Sequence, residues 1–346
     1  MNKKTGYLDG LRLLAMLTVV LIHTVSGVLT GYIDSPMMGT GQLYFYNSLK
    51  DLCTIGVPIF LMISGTLFLN PEKIITIKSL LGKYLRRLVL ALLFFGTGYA
   101  LLEIVFNSRS FELRFLWMAF KEMLLGNSWG HMWYLYMLIF IYLFIPVFKA
   151  FVNAASKQTY FYVLTVLFII CAVIPFIREN LGFYLFLSIP AVQISEFGIY
   201  IFYFLAGYYI HQYFFEKDTI KKSLYIVTIL LGVSLAALIF ANQYMNLGIY
   251  VSYNSVITVM LSLIIFAYAK LVFGECRLSG KIRENIFGVY LIHTFFINLL
   301  YKVCNITPLM LGGYVLLPVF VVGVFLVTLM TVWVIRRIPP LRKYIL

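Results

Sequence analysis

The stretch LRLLAMLTVVLIHTVSGVLT, Leu11–Thr30, carries only two ionisable side chains, Arg12 and His23. An apolar run of about 20 residues is long enough to cross a bilayer as one helix. Arg12 and His23 are eleven residues apart. At ~3.6 residues per turn this is about three turns, so both side chains lie on one face, at heights differing by roughly 16 Å. Arg12 is therefore expected near the inner membrane surface and His23 close to mid-bilayer. Ionisable groups at that depth are costly and mark pathways or sites. One stretch thus sets the fold class and a first candidate centre.

Similar runs recur along all 346 residues, which are 62% hydrophobic and 12% charged, with a mean hydropathy of +0.95. The runs do not alternate polar and apolar residues, which excludes the strands of a membrane barrel. The expectation is an all-α polytopic membrane protein, a single membrane-embedded domain over residues 1–346. Ten helices are predicted, at about 11–30, 43–69, 86–106, 132–152, 159–177, 196–215, 223–243, 252–273, 285–302 and 313–335. The net charge of +14 does not point to nucleic acid, because the basic residues cluster beside the ends of apolar runs. With a cytoplasmic N-terminus, 21 of the 27 Lys and Arg lie inside; Lys50, Arg109, Arg114, Lys121, Arg178 and Lys302 lie outside. That asymmetry orients the chain with both termini cytoplasmic.

Lys3 and Lys4 ahead of Leu13–Ile22 resemble the start of a signal peptide, but the many spans that follow favour a retained first helix. Cys53, Cys171, Cys276 and Cys304 form no CxxC pair or metal-ligand grouping, and read as packing residues. The longest outer connection, Asn107 to His131, reads either as an amphipathic surface helix or as a partly buried loop. No internal repeat is visible, although inverted-repeat transporters often show one.

Asp9 precedes Arg12 by three residues, so the two can pair and orient the guanidinium. A neutral imidazole at the depth of His23 can take a proton from a hydroxyl, which is general-base work. Taken alone, His23 would equally fit a packing role. Lys83, Arg86 and Arg87 precede the third span, on the side where Arg12 emerges. They read as topology signals or as ligands for an anion, since guanidinium groups bind phosphates bidentately.

His293 lies in Tyr290-Leu291-Ile292-His293-Thr294, roughly two turns inside the ninth span. His131 opens the fourth span before Met132-Trp133-Tyr134-Leu135 and is expected to be an interfacial anchor. His211, near an inner helix end, reads as structural. Glu103 and Glu196 sit near the outer surface, and Glu196 is the better candidate for orienting a sugar hydroxyl. Gly56-Val57-Pro58 predicts a break within the second span, and Ser64-Gly65 a close helix approach. Packing or a cavity would account for either feature.

These residues resemble the acyltransferase-3 family, bacterial integral-membrane O-acyltransferases acting mainly on cell-surface sugars. The likeness runs through Leu8-Asp9-Gly10-Leu11-Arg12 with Leu21-Ile22-His23-Thr24, and through Val57-Pro58-Ile59-Phe60-Leu61-Met62-Ile63-Ser64-Gly65. It continues in Lys83 with Arg86-Arg87-Leu88, Trp133-Tyr134-Leu135, Phe204-Leu205-Ala206-Gly207-Tyr208 and Tyr290-Leu291-Ile292-His293. The resemblance implies acetyl-CoA or another cytoplasmic acyl-CoA as donor and an extracytoplasmic carbohydrate or lipid-linked glycan as acceptor. It implies no metal, and a multi-pass location in the bacterial cytoplasmic membrane among its lipids.

By the same resemblance His23 is the catalytic histidine and Arg12 its partner in donor binding or positioning. Lys83, Arg86 and Arg87 match the donor-associated basic motif, with lysine at the first position where members often carry arginine. Asp9, His293, Glu196, Trp133 and Tyr134 are supporting candidates. Many relatives carry an appended extracytoplasmic hydrolase-like domain. None is expected here, so the chain acts alone or hands its acyl group to a separate extracytoplasmic partner. The competing class is a transporter or exporter of a polysaccharide or small polar solute. Retention of Arg12, His23 and the basic motif favours the enzyme.

Overall fold

The computed structural model describes residues 6–32, 35, 38–181, 190–214, 222–274 and 278–345. Among the described residues every regular element is helical. The first half of the chain contributes α1 (Tyr7–Tyr32), α2 (Thr40–Phe68), α3 (Ile77–Ser108), α4 (Arg114–Leu124), α5 (Gly130–Leu143), α6 (Ile145–Ala154) and α7 (Lys157–Asn180). The second half adds α8 (Pro190–Tyr209), α9 (Lys222–Tyr244), α10 (Val256–Phe273), α11 (Gly280–Asn298), α12 (Leu316–Ile335) and α13 (Pro339–Tyr344). Each predicted apolar stretch overlaps a helix among the described residues. Among the described residues seven helices are long and apolar enough to cross a membrane, or eight if α5 and α6 form one broken span.

That break divides the single helix predicted at about 132–152. The axes of α5 and α6 diverge by 50° at Phe144. Pro146, two residues on, lacks the N–H that a continuous helix would use. Within α2, a tight turn at Cys53–Ile55 separates Thr40–Leu52 from Gly56–Phe68, beside the predicted break at Pro58. A Cβ on Gly56 would meet Thr18 Oγ1 at 2.7 Å, so glycine lets α2 cross α1 closely. The connection after α3 resolves as α4, which buries Phe115, Ala119 and Met123 on one stripe and exposes Trp117 and Leu124. Their spacing of four residues is that of an amphipathic helix.

Helix α1 packs against α2, α10, α11 and α12, and α8 packs against the second half of α2. A Cβ on Gly65 would overlap the Phe204 carbonyl, and one on Gly207 would overlap that of Met62. The α2–α8 crossing therefore depends on two glycines, as membrane helices packed backbone to backbone require. Tyrosines tie other pairs at backbone carbonyls. Tyr160 donates to Leu205 O at 2.8 Å and Tyr301 to Thr24 O at 2.9 Å. In an apolar surround such hydroxyls need a partner, and the carbonyl's second lone pair supplies one.

Candidate active site

Three helices bring three histidines together. His23 comes from the middle of α1, His293 from the middle of α11, and His131 from the turn at Gly130–Met132 that opens α5. Ring centroids are 5.2 Å apart for His23 and His293, 5.5 Å for His131 and His293, and 6.0 Å for His23 and His131. The interfacial anchoring expected of His131 is thus corrected, since its side chain is 2% exposed. Its neighbours Trp129 and Trp133 resemble an aromatic belt in sequence, but α3 and α11 close over the turn.

A relay of contacts fixes that turn. Tyr290 Oη donates to the His131 carbonyl at 2.5 Å. Tyr99 Oη donates to Leu291 O at 2.7 Å, and the Tyr99 ring stacks on Trp129 with centroids 4.2 Å apart. Trp129 Nε1 donates to Glu103 at 3.1 Å, and Lys302 lies 3.5 Å from the same carboxylate. Glu103 is therefore a bracing residue.

His293 is fully buried, and its Nδ1 lies 2.8 Å from Tyr290 O and 3.1 Å from Val289 O. Carbonyls only accept, so Nδ1 bears the proton and Nε2 is left with a lone pair. Nε2 has no partner. His23 has no side-chain hydrogen bond among the described residues, and it lines a tight cavity with Cys53, Val57, Phe60, Trp133, Tyr134 and Tyr253. The cavity measures about 20 Å³, room for about one water molecule.

Below this centre, at the end of the bundle where both described termini lie, the charges gather around the start of α11. Asp9, fully buried, is paired with Arg12, and Arg283 of α11 stands 3.8 Å from its other oxygen. The Arg12–Asp9 pair is the one predicted from their spacing. Arg283 is an addition that only the tertiary fold reveals. Arg87 stacks over Phe287 at 4.9 Å and donates from Nε to Ile345 O at 3.4 Å. Arg336 bridges to Glu284 at 2.8 Å.

Arg86 and Lys83 are exposed, the former over Tyr344 at 5.0 Å. Leu80–Leu85, which includes Lys83, is a π-turn, a local widening of the kind often met at functional sites. Lys73 and Lys149, which the charge asymmetry assigns to the inner side, also join this end. Lys149 Nζ donates to the carbonyls of Asn70 and Lys73, while Lys73 Nζ lies 4.1 Å over the Phe68 ring. Burial and the neighbouring Lys149 and Lys83 charges push the Lys73 pKa down.

On the opposite side of the histidines lies a vestibule of about 700 Å³. Trp133, Tyr136, Tyr200, Tyr250, Asn180, Asn254 and Glu196 contribute to its wall. Trp133 and Tyr253 also line the His23 cavity, and their rings stand 5.3 Å apart. They form the partition between the two spaces. Tyr134 is on the cavity side, edge-on to Tyr290 at 5.3 Å. His211 accepts from or donates to Tyr7 Oη at 2.8 Å, away from this centre, consistent with its structural reading.

Such a fold and centre define a multi-pass membrane protein with a histidine cluster between a basic mouth and an aromatic vestibule. A family model described as an acyltransferase domain, that of the acyltransferase-3 family, matches residues 5–337, and the chain belongs to this family. Searches among curated proteins and among solved structures gave no match.

Proposed function

We propose that this acyltransferase carries an acyl group, expected to be acetyl, from cytoplasmic acyl-CoA to a hydroxyl of an extracytoplasmic carbohydrate or other envelope acceptor. In this reading ten spans cross the bacterial cytoplasmic membrane and both termini are cytoplasmic. The observation that carries the reading is the position of His23. It lines a cavity partitioned from a wide vestibule by two aromatic rings, while Arg12 on the same helix stands in a basic mouth at the other end. The compact form resembles the single-domain enterobacterial-common-antigen O-acetyltransferase. A separate extracytoplasmic protein is a candidate for onward transfer.

Phosphates of the donor suit Arg12, Arg86 and Arg87, which offer charge-assisted and bidentate bonds, with Lys83 as a point charge. The donor's thinner, less polar arm then reaches toward His23. An acceptor hydroxyl enters past Trp133 and Tyr253 from the vestibule, where aromatic faces and Glu196 suit a sugar ring and its hydroxyls. His23 takes the hydroxyl proton as the oxygen attacks the thioester carbonyl. The C–S bond breaks, and the departing thiolate takes up a proton.

Transport of a polysaccharide or small solute is the alternative, and membership of an acyltransferase family does not favour it. The deciding test is binding of acetyl-CoA to the purified protein. Saturable binding, weakened in Arg86→Ala/Arg87→Ala, supports the enzyme. No binding, together with movement of a sugar or amino acid in liposomes, overturns it.

A further inference from the structure

The mechanism above leaves one buried base without work. His293 Nε2 is a lone-pair acceptor sealed in the protein, with its tautomer fixed by two backbone carbonyls on the other side of the ring. A buried polar atom without a hydrogen bond destabilises the fold, so a partner is to be expected in some working state. Two rings can reach it. His131 is already engaged, with Nε2 3.4 Å from Leu291 O and Thr294 Oγ1 at 3.2 Å. His23 has no such engagement among the described residues and is the nearer ring, at 5.2 Å. An in-line N–H···N bond between two imidazoles spans roughly 5 Å from centroid to centroid. Reorienting the rings is therefore enough, and neither helix has to move.

We infer that His293 is a positioning residue whose Nε2 accepts a ring N–H of His23 during the reaction. The bond would aim the other His23 nitrogen at the acceptor hydroxyl. It would also steady the imidazolium formed when that nitrogen takes the proton, as a third group does for any histidine base. The proton stays on His23 until the leaving thiolate claims it, and His293 remains neutral throughout. This inference rests on the proposed base role of His23.

Three full-length variants separate this role from a packing one. In His293→Gln the amide reaches about where Nε2 sits, restoring an acceptor. In His293→Asn it sits about where Nδ1 does, keeping only the bond to the backbone. His293→Leu keeps bulk alone. The assay supplies radiolabelled acetyl-CoA to inside-out membrane vesicles and counts label in the envelope glycan fraction, per amount of folded protein. Losing a hydrogen bond to a charged group should lower kcat roughly 10- to 100-fold in Leu and Asn, with KM for acetyl-CoA unchanged and partial recovery in Gln. Recovery in Asn but not Gln would show a structural residue and overturn the inference. So would a wild-type rate in Leu while His23→Ala is inactive, an outcome that leaves the base role of His23 standing. A wild-type rate in His23→Ala would overturn both.

Discussion

The basic mouth and the histidine centre treat their polar groups in opposite ways. At the mouth four guanidinium groups have companions: Asp9 for Arg12, Glu284 for Arg336, the Phe287 ring for Arg87 and the Tyr344 ring for Arg86. In the centre, about three turns deeper along α1, His293 Nε2 has none among the described residues and His23 faces a cavity of about 20 Å³. Guanidinium groups cannot give up their charge, so they settle where carboxylates, ring faces and water reach them. Neutral imidazoles tolerate a dry interior, and there a lone pair remains available to a reacting hydroxyl. In the proposed function the mouth holds the donor's phosphates and the centre handles a proton.

The largest test of this contrast is His23→Ala. Loss of a general base should lower acyl transfer by ~100- to 10,000-fold while the protein stays in the membrane. Acetyl-CoA binding, assigned to the mouth in the proposed function, should survive in the same variant. Near-normal transfer at equal expression would move the chemistry away from His23. Arg86→Ala/Arg87→Ala should do the reverse, weakening acetyl-CoA binding roughly 10- to 100-fold. Lysine at these positions should rescue only in part, because it lacks the planar fork; complete rescue would reduce the mouth to a field of charge.

A smaller effect is expected at the glycine crossing. Gly65→Ala must push α2 away from the Phe204 carbonyl, a strain of about 1–3 kcal/mol. It should lower thermal stability in detergent, with little change in rate per folded molecule. A large rate loss at unchanged stability would tie the crossing to the centre. Smallest of all, raising salt should weaken wild-type acetyl-CoA binding less than for a fully exposed site, since half-buried Arg12 and Arg87 are screened less than exposed Arg86 and Lys83.

The comparison also explains what could be read from the sequence. The apolar runs and the shared face of Arg12 and His23 follow from helical periodicity alone. So does the Asp9–Arg12 pair, at a spacing of three residues. The His131 contact was not legible, because its flanking residues Trp129, Trp133 and Tyr134 have the composition of a membrane-interface belt. Only the covering of that turn by Tyr99 and Tyr290, from distant parts of the chain, makes it interior. Arg283 was missed for the same reason, since its pairing with Asp9 crosses most of the sequence. The break at Pro146 is marked in the sequence only by the proline itself, within an otherwise continuous apolar run.

Orientation is open to direct labelling. Cysteines introduced near residue 75 and after residue 343 should react only when the cytoplasmic face is opened, and one near residue 36 should react in intact cells. Labelling of the first two from outside would reverse the mouth and the vestibule.

The central claim is that donor and acceptor meet at His23 from opposite sides. Sealed vesicles of known orientation, given radiolabelled acetyl-CoA on one face only, test it most directly. Label should reach glycan on the far face when acetyl-CoA is on the cytoplasmic face, in wild type and not in His23→Ala. Transfer from acetyl-CoA supplied on the extracytoplasmic face, or equal transfer by His23→Ala, would contradict it.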